Sequence, residues 1–123
     1  AMKIAGFLEN HSAIEKGYYP GLESHFQHSL ALYQMPTFGG MVTAVLGEGL
    51  VKAKSFLEKC QIFSLAESLG GVESLIEHPA IMTHASIPRE IRETLGISDG
   101  LVRLSVGIEN VDDLIEDLDQ ALQ

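Results

Sequence analysis

The sequence predicts an α/β fold, a sandwich in which one small, mostly antiparallel sheet carries helices packed on it. Short runs of strand-forming residues alternate along the chain with segments whose apolar residues repeat at helical spacing. Glycine and proline pairs separate these segments, as they do at turns. With 123 residues, 46% of them apolar, the chain is long enough for one domain with a modest core. We therefore expect a single domain over residues 1–123, without an internal repeat or linker.

The first half of the chain predicts two helices and two strands. Residues 2–10 carry apolar side chains at helical spacing and predict a short helix. Residues 14–19 are rich in strand formers and end at the turn pair Pro20-Gly21. The apolar run 41–46 predicts a strand covered on both faces, and residues 50–59 predict a helix with one apolar stripe.

The centre of the chain consists of two strand-like runs, residues 62–66 and 72–76, around the pair Gly70-Gly71. The plain interpretation of this pair is a turn between two strands. Glycines also let a backbone approach a ligand closely, and the exposed N–H groups of such a turn bind anions. Both interpretations remain open at this point.

The last part of the chain predicts a short strand, a helix, a longer strand and a final helix. Residues 80–84 predict the short strand or a sheet edge, and a helix follows from an N-cap near Ser86 to a stop at Gly96. Asn110 is expected to cap the final helix. The strand at residues 101–106 alternates, with Val102, Leu104 and Val106 on one face and Leu101, Arg103 and Ser105 on the other.

The formal net charge of −9 argues against partners that need a basic surface, namely nucleic acids and anionic membranes. No run approaches about 18 apolar residues, so the sequence predicts no membrane span. Acidic residues near the C-terminus, with no lysine or arginine among them, are interpreted as a solvated helix face rather than as a tail that binds a partner. They are Glu109, Asp112, Asp113, Glu116, Asp117 and Asp119.

The single cysteine, Cys60, has no partner for an internal disulfide and fits a reducing compartment, so we expect a cytoplasmic protein. Its place on the apolar stripe predicts a small core residue rather than a nucleophile. A zinc site built from His25, His28 and Cys60 is an alternative, but no second pair of ligands accompanies them and we expect no metal. His11 and His78 are interpreted as ordinary surface or turn histidines, and His84 is interpreted as a structural histidine.

Motifs along nearly the whole chain carry a family resemblance. The central stretch contains Ala66-Glu-Ser-Leu-Gly-Gly. The motifs around it are Tyr19-Pro-Gly-Leu, Phe38-Gly-Gly-Met-Val, Pro79-Ala-Ile-Met-Thr-His-Ala, Leu95-Gly-Ile-Ser-Asp-Gly and Leu101-Val-Arg-Leu-Ser-Val-Gly-Ile-Glu. In this order and spacing they resemble the C-terminal part of the Cys/Met-metabolism family of PLP-dependent enzymes, closest to its cystathionine γ-lyases and γ-synthases.

The resemblance implies the C-terminal small domain of a fold-type-I, aminotransferase-like PLP enzyme. It places the lysine that binds pyridoxal 5'-phosphate in an N-terminal domain that this sequence does not include. None of the lysines here stands in a matching Ser/Thr-rich motif: Lys3, Lys16, Lys52, Lys54 and Lys59. We therefore expect a segment without bound PLP that is inactive alone, and a homotetramer for the full-length enzyme.

Arg103 is the central candidate for substrate binding. Without the resemblance it is interpreted as a solvent-facing arginine on a strand. A guanidinium also offers two parallel N–H donors that match a carboxylate, and it stays charged at any working pH. The resemblance implies that Arg103 binds the α-carboxylate of an amino-acid substrate, aided by Ser68 and the backbone of Leu69. It implies that Glu67 binds the distal amino group of a substrate such as cystathionine.

The sequence leaves two further questions open. It does not distinguish a γ-lyase from a γ-synthase or a β-lyase, because these activities share this part of the chain. It also allows a free-standing domain of the same descent that binds an amino acid, or serves assembly, without catalysis.

Overall fold

The computed structural model describes all residues, 1–123. Its helices are α1 (Met2–Glu9), α2 (His28–Gln34), α3 (Gly49–Lys59), α4 (Arg89–Thr94) and α5 (Val111–Leu122). Its strands are β1 (Ile14–Tyr18), β2 (Met41–Leu46), β3 (Ser64–Leu65), β4 (Leu75–Glu77) and β5 (Leu101–Ser105). None of the helices combines the length and the apolar character needed to cross a membrane.

The strands form one sheet in the order β1-β2-β5-β4-β3. All neighbouring pairs are antiparallel except β3 and β4, which run parallel. The predicted fold class, a small and mostly antiparallel sheet with packed helices, is therefore confirmed. The last strand along the chain, β5, lies at the centre of the sheet between β2 and β4.

One face of the sheet is covered by three helices. Of these, α1 and α3 contact the strands beneath them, and α5 packs against both α1 and α3. The alternation predicted for β5 is confirmed, because Val102 and Leu104 are fully buried in the core while Arg103 points to the opposite face. The apolar stripe of α5 is confirmed as well, with Leu114 and Leu118 buried. The helices thus leave the other face of the sheet available for a site.

The N-terminus of α5 is capped as predicted. The side-chain oxygen of Asn110 accepts hydrogen bonds from the backbone N–H groups of Asp112 and Asp113, at 2.9 and 3.3 Å. These two bonds satisfy donors that have no partner within the first turn of a helix. The cap fixes the point at which the chain leaves β5 and turns into α5.

Some of the predicted elements are wrong. Residues 80–84 form turns rather than a strand, and α4 begins at Arg89 with Pro88, not Ser86, at its N-cap. The pair Gly70-Gly71 does not make a tight hairpin turn, because the strands on either side of it are parallel. A parallel pair needs a longer connection, and residues 66–74 supply it as an irregular loop.

Candidate functional site

Arg103 lies in a cross-strand row on the face that α1, α3 and α5 leave uncovered. In the sheet register it pairs with Thr43 of β2 and with Glu77 of β4, and Thr43 pairs in turn with Tyr18 of β1. Residues at matching register positions share one face of a sheet. The row therefore brings a phenol, a hydroxyl, a guanidinium and a carboxylate together across four strands.

The guanidinium of Arg103 forms an ion pair with Glu77. Its Nη2 lies 2.5 Å from Oε1 of Glu77, whose side chain is 2% exposed, whereas the Arg103 side chain is 28% exposed. Neither carboxylate oxygen of Glu77 has a partner with hydrogen-bond geometry, so the contact is mainly one between two charges. Arg103 makes no other ion pair or hydrogen bond, which leaves Nε and Nη1 uncommitted.

A cavity of about 350 Å³ opens beside this ion pair. Arg103, Thr43, Tyr18 and Leu101 form its floor, and the segment between β4 and β5 forms its wall. The residues of this wall that line the cavity are Pro79, His84, Leu95, Gly96 and Ile97. The ion pair therefore leaves room for a small molecule next to the guanidinium.

The wall of the cavity is fixed by polar contacts around Asp99. Its carboxylate pairs with Arg92 at 3.3 Å and with Arg89 at 3.5 Å. Its carbonyl oxygen accepts a hydrogen bond from Nε2–H of His78 at 2.6 Å, and Nδ1 of the same ring accepts from the N–H of Ile81. The interpretation of His78 as a surface histidine is wrong, because the residue is fully buried and holds this segment to the start of β5.

The loop 66–74, which carries Glu67, Ser68 and Leu69, is hydrogen-bonded to the end of β5, the strand of Arg103 (the arginine strand). The N–H of Gly70 donates to the Ser105 hydroxyl at 2.8 Å. Ser105 follows Arg103 by two residues, a step of about 7 Å along one face of a strand. Gly70 has a φ of 79°, a conformation that favours glycine, which explains a glycine here. Its N–H is already used, so it is not free to bind an anion.

A second tie holds the same loop further along. The carboxylate of Glu109 accepts hydrogen bonds from both the N–H and the hydroxyl of Ser74, each at 2.8 Å. The N–H of Gly107 donates to the Ser74 hydroxyl, and a Cβ on Gly107 would collide with the carbonyl oxygen of Val72. The loop and the segment after β5 therefore pack backbone against backbone.

The structure places Glu67, Ser68 and Leu69 on the exposed surface of the loop, with Leu69 51% exposed. None of them forms an ion pair or a hydrogen bond with Arg103. The structure thus brings their loop to the end of the arginine strand without joining their side chains to the guanidinium. Their roles in substrate binding remain predictions.

Two acidic residues that we had assigned to a solvated helix face have other roles. Asp117 is 5% exposed, and its carboxylate accepts the backbone N–H groups of Gln61, Ile62 and Phe63 at 2.7–3.0 Å. Glu109 holds Ser74, as described above. For Asp117, the signal in the sequence was its place among the apolar positions of α5, between Leu114 and Leu118.

The alternative zinc site is not assembled. His25 precedes α2, and its Nδ1 accepts a hydrogen bond from the N–H of Gln27, while Nδ1 of His28 bonds the carbonyl oxygen of Pro20. The thiol of Cys60 donates to the carbonyl oxygen of Phe56. Burial, and secondly the charge of Asp117, raise the pKa of Cys60 to about 12. No three His, Cys, Asp or Glu side chains come together in a way that could hold a metal ion.

The residues around the cavity do not include a lysine. Lys16 lies with its Nζ 5.0 Å from the centre of the Tyr18 ring, and Lys59 donates to the carbonyl oxygen of Gln123. Covalent attachment of PLP requires a lysine amine at the reacting centre. The side chains that line this cavity therefore fit a carboxylate ligand of Arg103 and do not by themselves fit PLP.

Comparison with known proteins gives one consistent answer. The family model described as Cys/Met metabolism PLP-dependent enzyme matches residues 1–123. A cystathionine beta-lyase of Coxiella burnetii (strain RSA 493 / Nine Mile phase I) is 61% identical over 122 residues, which cover 99% of this chain and 32% of that protein. A cystathionine gamma-lyase of Bos taurus is 57% identical over 122 residues, which cover 99% of this chain and 30% of that protein.

A solved structure agrees with these relatives. The crystal structure of cystathionine gamma synthase from Xanthomonas oryzae pv. oryzae, in complex with aminoacrylate and cysteine, matches with a TM-score of 0.94 and 48% identity. The match covers 99% of this chain and 32% of that chain, so this chain spans about a third of the length of its relatives. The chain belongs to the Cys/Met-metabolism family of PLP-dependent enzymes.

Proposed function

We propose that this chain is the substrate-binding part of a PLP-dependent enzyme of the cystathionine γ-lyase, γ-synthase or β-lyase type. In this proposal it is a C-terminal small domain that forms one wall of the active site and holds the α-carboxylate of a sulfur amino acid such as cystathionine. Family membership and the names of the relatives support the reaction class. The share of the relatives that the chain spans supports a division of the active site between two portions of polypeptide.

The observation that carries the proposal is the geometry of Arg103. Its guanidinium borders a cavity of about 350 Å³, and only one of its nitrogens is committed to Glu77. A guanidinium has five N–H donors, and Nη2 has two of them. The second N–H of Nη2, with the parallel N–H beside it on Nε or Nη1, can therefore still bind both oxygens of a carboxylate. The cavity volume lies at the lower end of the range for small-molecule sites.

The residues of this chain would bind and orient the substrate. Arg103 would fix the carboxylate, Ser68 and the Leu69 backbone would contact it from the loop, and Glu67 would attract the distal amino group by its charge. Fixing the carboxylate sets the direction of the Cα–H bond toward the group that removes the proton. PLP, held by another part of the enzyme, would supply the electron sink for the reaction.

In this proposal the isolated chain neither holds PLP nor catalyses a reaction, because the cavity lining offers no lysine amine. Exposed apolar side chains support a surface that another portion of polypeptide covers. They lie on β3, on the loop and just after β5: Leu65, Leu69, Val72 and Ile108. We propose further that the full-length enzyme is a cytoplasmic homotetramer.

The test is a chimera in which this chain replaces the matching third of the Coxiella cystathionine beta-lyase. Arg103→Lys keeps the positive charge beside Glu77 but loses the planar pair of donors. We expect kcat/KM for cystathionine to fall by about tenfold or more, equivalent to about 1.4 kcal/mol. Lys54→Arg, an exchange between the same two residue types on the exposed surface of α3, is the matched control and should change kcat/KM by less than twofold. A decrease of less than tenfold for Arg103→Lys would refute the proposed carboxylate clamp, that is, the binding of the substrate carboxylate by Arg103.

The alternative, a free-standing amino-acid-binding domain, is favoured by the same open cavity. Titration calorimetry of the isolated chain with methionine, cysteine and cystathionine distinguishes the two proposals. We expect no saturable binding, because the partner surface that closes the site belongs to another portion of polypeptide. Saturable binding that is lost in Arg103→Lys would instead support the free-standing domain.

A further inference from the structure

Glu77 has an unusual environment for a charged side chain. It is 1% exposed as a residue, and both of its carboxylate oxygens are buried without a hydrogen-bond partner. A buried carboxylate without hydrogen bonds is costly unless an opposite charge compensates it. The only such charge in contact with it is the guanidinium of Arg103. The sheet therefore buries an energetically unfavourable carboxylate, that of Glu77, directly beside the guanidinium proposed to bind the substrate carboxylate.

We propose that Glu77 is the positioning residue of the carboxylate clamp: its carboxylate binds Nη2 of Arg103 from one side, so that the remaining pair of parallel N–H donors faces the cavity. This inference rests on the proposed function and adds a determinant to it. Glu77 does not touch the substrate in this arrangement. It acts through Arg103, by occupying one of the two donor edges that include Nη2 and so determining that the other edge faces the cavity.

The backbone around Glu77 makes it suitable for this role. Glu77 and Arg103 are directly opposite each other in the antiparallel pair of β4 and β5. The neighbours of Glu77 in the chain, Ile76 and His78, are 1% and 0% exposed, and His78 is bonded to the carbonyl oxygen of Asp99. The Glu77 carboxylate thus extends from a buried strand end whose neighbouring residues are fixed in place. Because its position is fixed, it determines the direction in which the Arg103 guanidinium points.

The ion pair also lowers the conformational freedom of a long side chain. An arginine free to rotate loses up to about 2 kcal/mol of side-chain entropy when a ligand fixes it. Glu77 fixes Arg103 before the substrate arrives, so less of this entropy is lost on binding. The prediction is therefore that Glu77 strengthens binding of molecules with a carboxylate and has little effect on molecules without one.

The first experiment uses competitive inhibitors of the same chimera. Norleucine carries the amino group and the carboxylate, and pentylamine is the same molecule without the carboxylate. We expect Glu77→Gln, which keeps the size of the side chain and removes its charge, to raise the inhibition constant of norleucine about fivefold. The constant of pentylamine should change by less than twofold. Glu15→Gln, a surface carboxylate on β1, is the control and should change neither.

A second experiment measures the rotation of the Arg103 guanidinium by NMR on this chain. The ion pair should hold the guanidinium and slow its rotation, so that the Nη signals of Arg103 are separate in nitrogen-15 NMR spectra. In Glu77→Gln these signals should merge, whereas the signals of Arg92, which is paired with Asp99, should not change. The melting temperature of each variant shows whether the domain remains folded.

Three results would overturn the proposal. Equal weakening of norleucine and pentylamine would assign Glu77 a purely structural role. An unchanged or smaller constant for norleucine would mean that Glu77 competes with the ligand for the guanidinium. Unchanged Nη signals in Glu77→Gln would show that the carboxylate does not fix the side chain. Arg103→Lys distinguishes the proposed function from the positioning role of Glu77. If this variant does not reduce kcat/KM, the carboxylate clamp itself is refuted, whereas the three results for Glu77→Gln refute only the positioning role.

Discussion

Removal of Arg103 is expected to destabilise the fold as well as to impair binding. In Arg103→Ala the carboxylate of Glu77, whose side chain is 2% exposed, loses the only charge that compensates it. A buried carboxylate without an opposite charge or hydrogen bonds is costly. Removal of one partner of a buried ion pair typically costs about 3–5 kcal/mol.

We therefore expect the free energy of unfolding of Arg103→Ala to fall by about 3 kcal/mol at pH 7. The value is at the lower end of the range because water reaches the guanidinium side of the pair. For a chain of 123 residues this corresponds to a decrease in melting temperature of about 12 °C. Urea unfolding followed by circular dichroism, together with a thermal melt, measures both quantities on the isolated chain.

One control separates this mechanism from a simple loss of packing. Arg103→Leu combined with Glu77→Leu removes both charges and should return the stability to within about 1 kcal/mol of the unmodified chain. A double variant as unstable as Arg103→Ala would refute the reasoning.

Other predictions concern the residues that hold the loops. Asp117→Asn should lower the free energy of unfolding by about 2 kcal/mol, because a single amide oxygen cannot accept all three backbone N–H groups of residues 61–63; Asp112→Asn, exposed on the same helix, is the control in urea unfolding. The thiol of Cys60, with its pKa raised to about 12 by burial and by Asp117, should react with iodoacetamide at pH 8 at least about a hundredfold more slowly in the folded chain than in urea, and equal rates would contradict its burial. Burial raises the pKa of Glu109, but the hydrogen bonds from Ser74 outweigh it, so that the pKa lies below its ordinary value. The ionised carboxylate therefore stabilises the fold above the ordinary carboxyl range, and this contribution is lost as the pH falls through the lowered pKa. Glu109→Gln should flatten the decrease in urea midpoint between pH 6 and pH 3, and an unchanged slope would exclude this role.

The elements with a strong periodic pattern could be predicted from the sequence. The alternation of β5 and the apolar stripe of α5 gave the correct faces, because a side chain that must be buried leaves a period of two or 3.6 in the sequence. Arg103 was correctly placed on the face opposite the core for the same reason. The predictions were wrong between β4 and α4, where a run of apolar residues forms turns beside the cavity rather than a strand.

The contacts of the site could not be predicted from periodicity. The pairing of Glu77 with Arg103 depends on the register of β4 against β5, and the intervening segment leaves that register unspecified in the sequence. The burial of His78 and Asp117 depends on partners that are distant along the chain, at Asp99 and at residues 61–63. Buried polar groups of this kind resemble surface residues in a sequence, and only the fold shows which backbone groups they satisfy.

The hydrogen bonds that join the loop 66–74 to β5 and to the segment after it affect how a ligand would bind. Gly70 is bonded to Ser105 and Ser74 to Glu109, so the loop cannot move away from the strand without breaking both contacts. The parts of the surface proposed to meet one carboxylate are thus assembled within a single rigid unit before any ligand arrives. A hinge motion of the whole domain would carry them together toward a substrate and would preserve their mutual geometry.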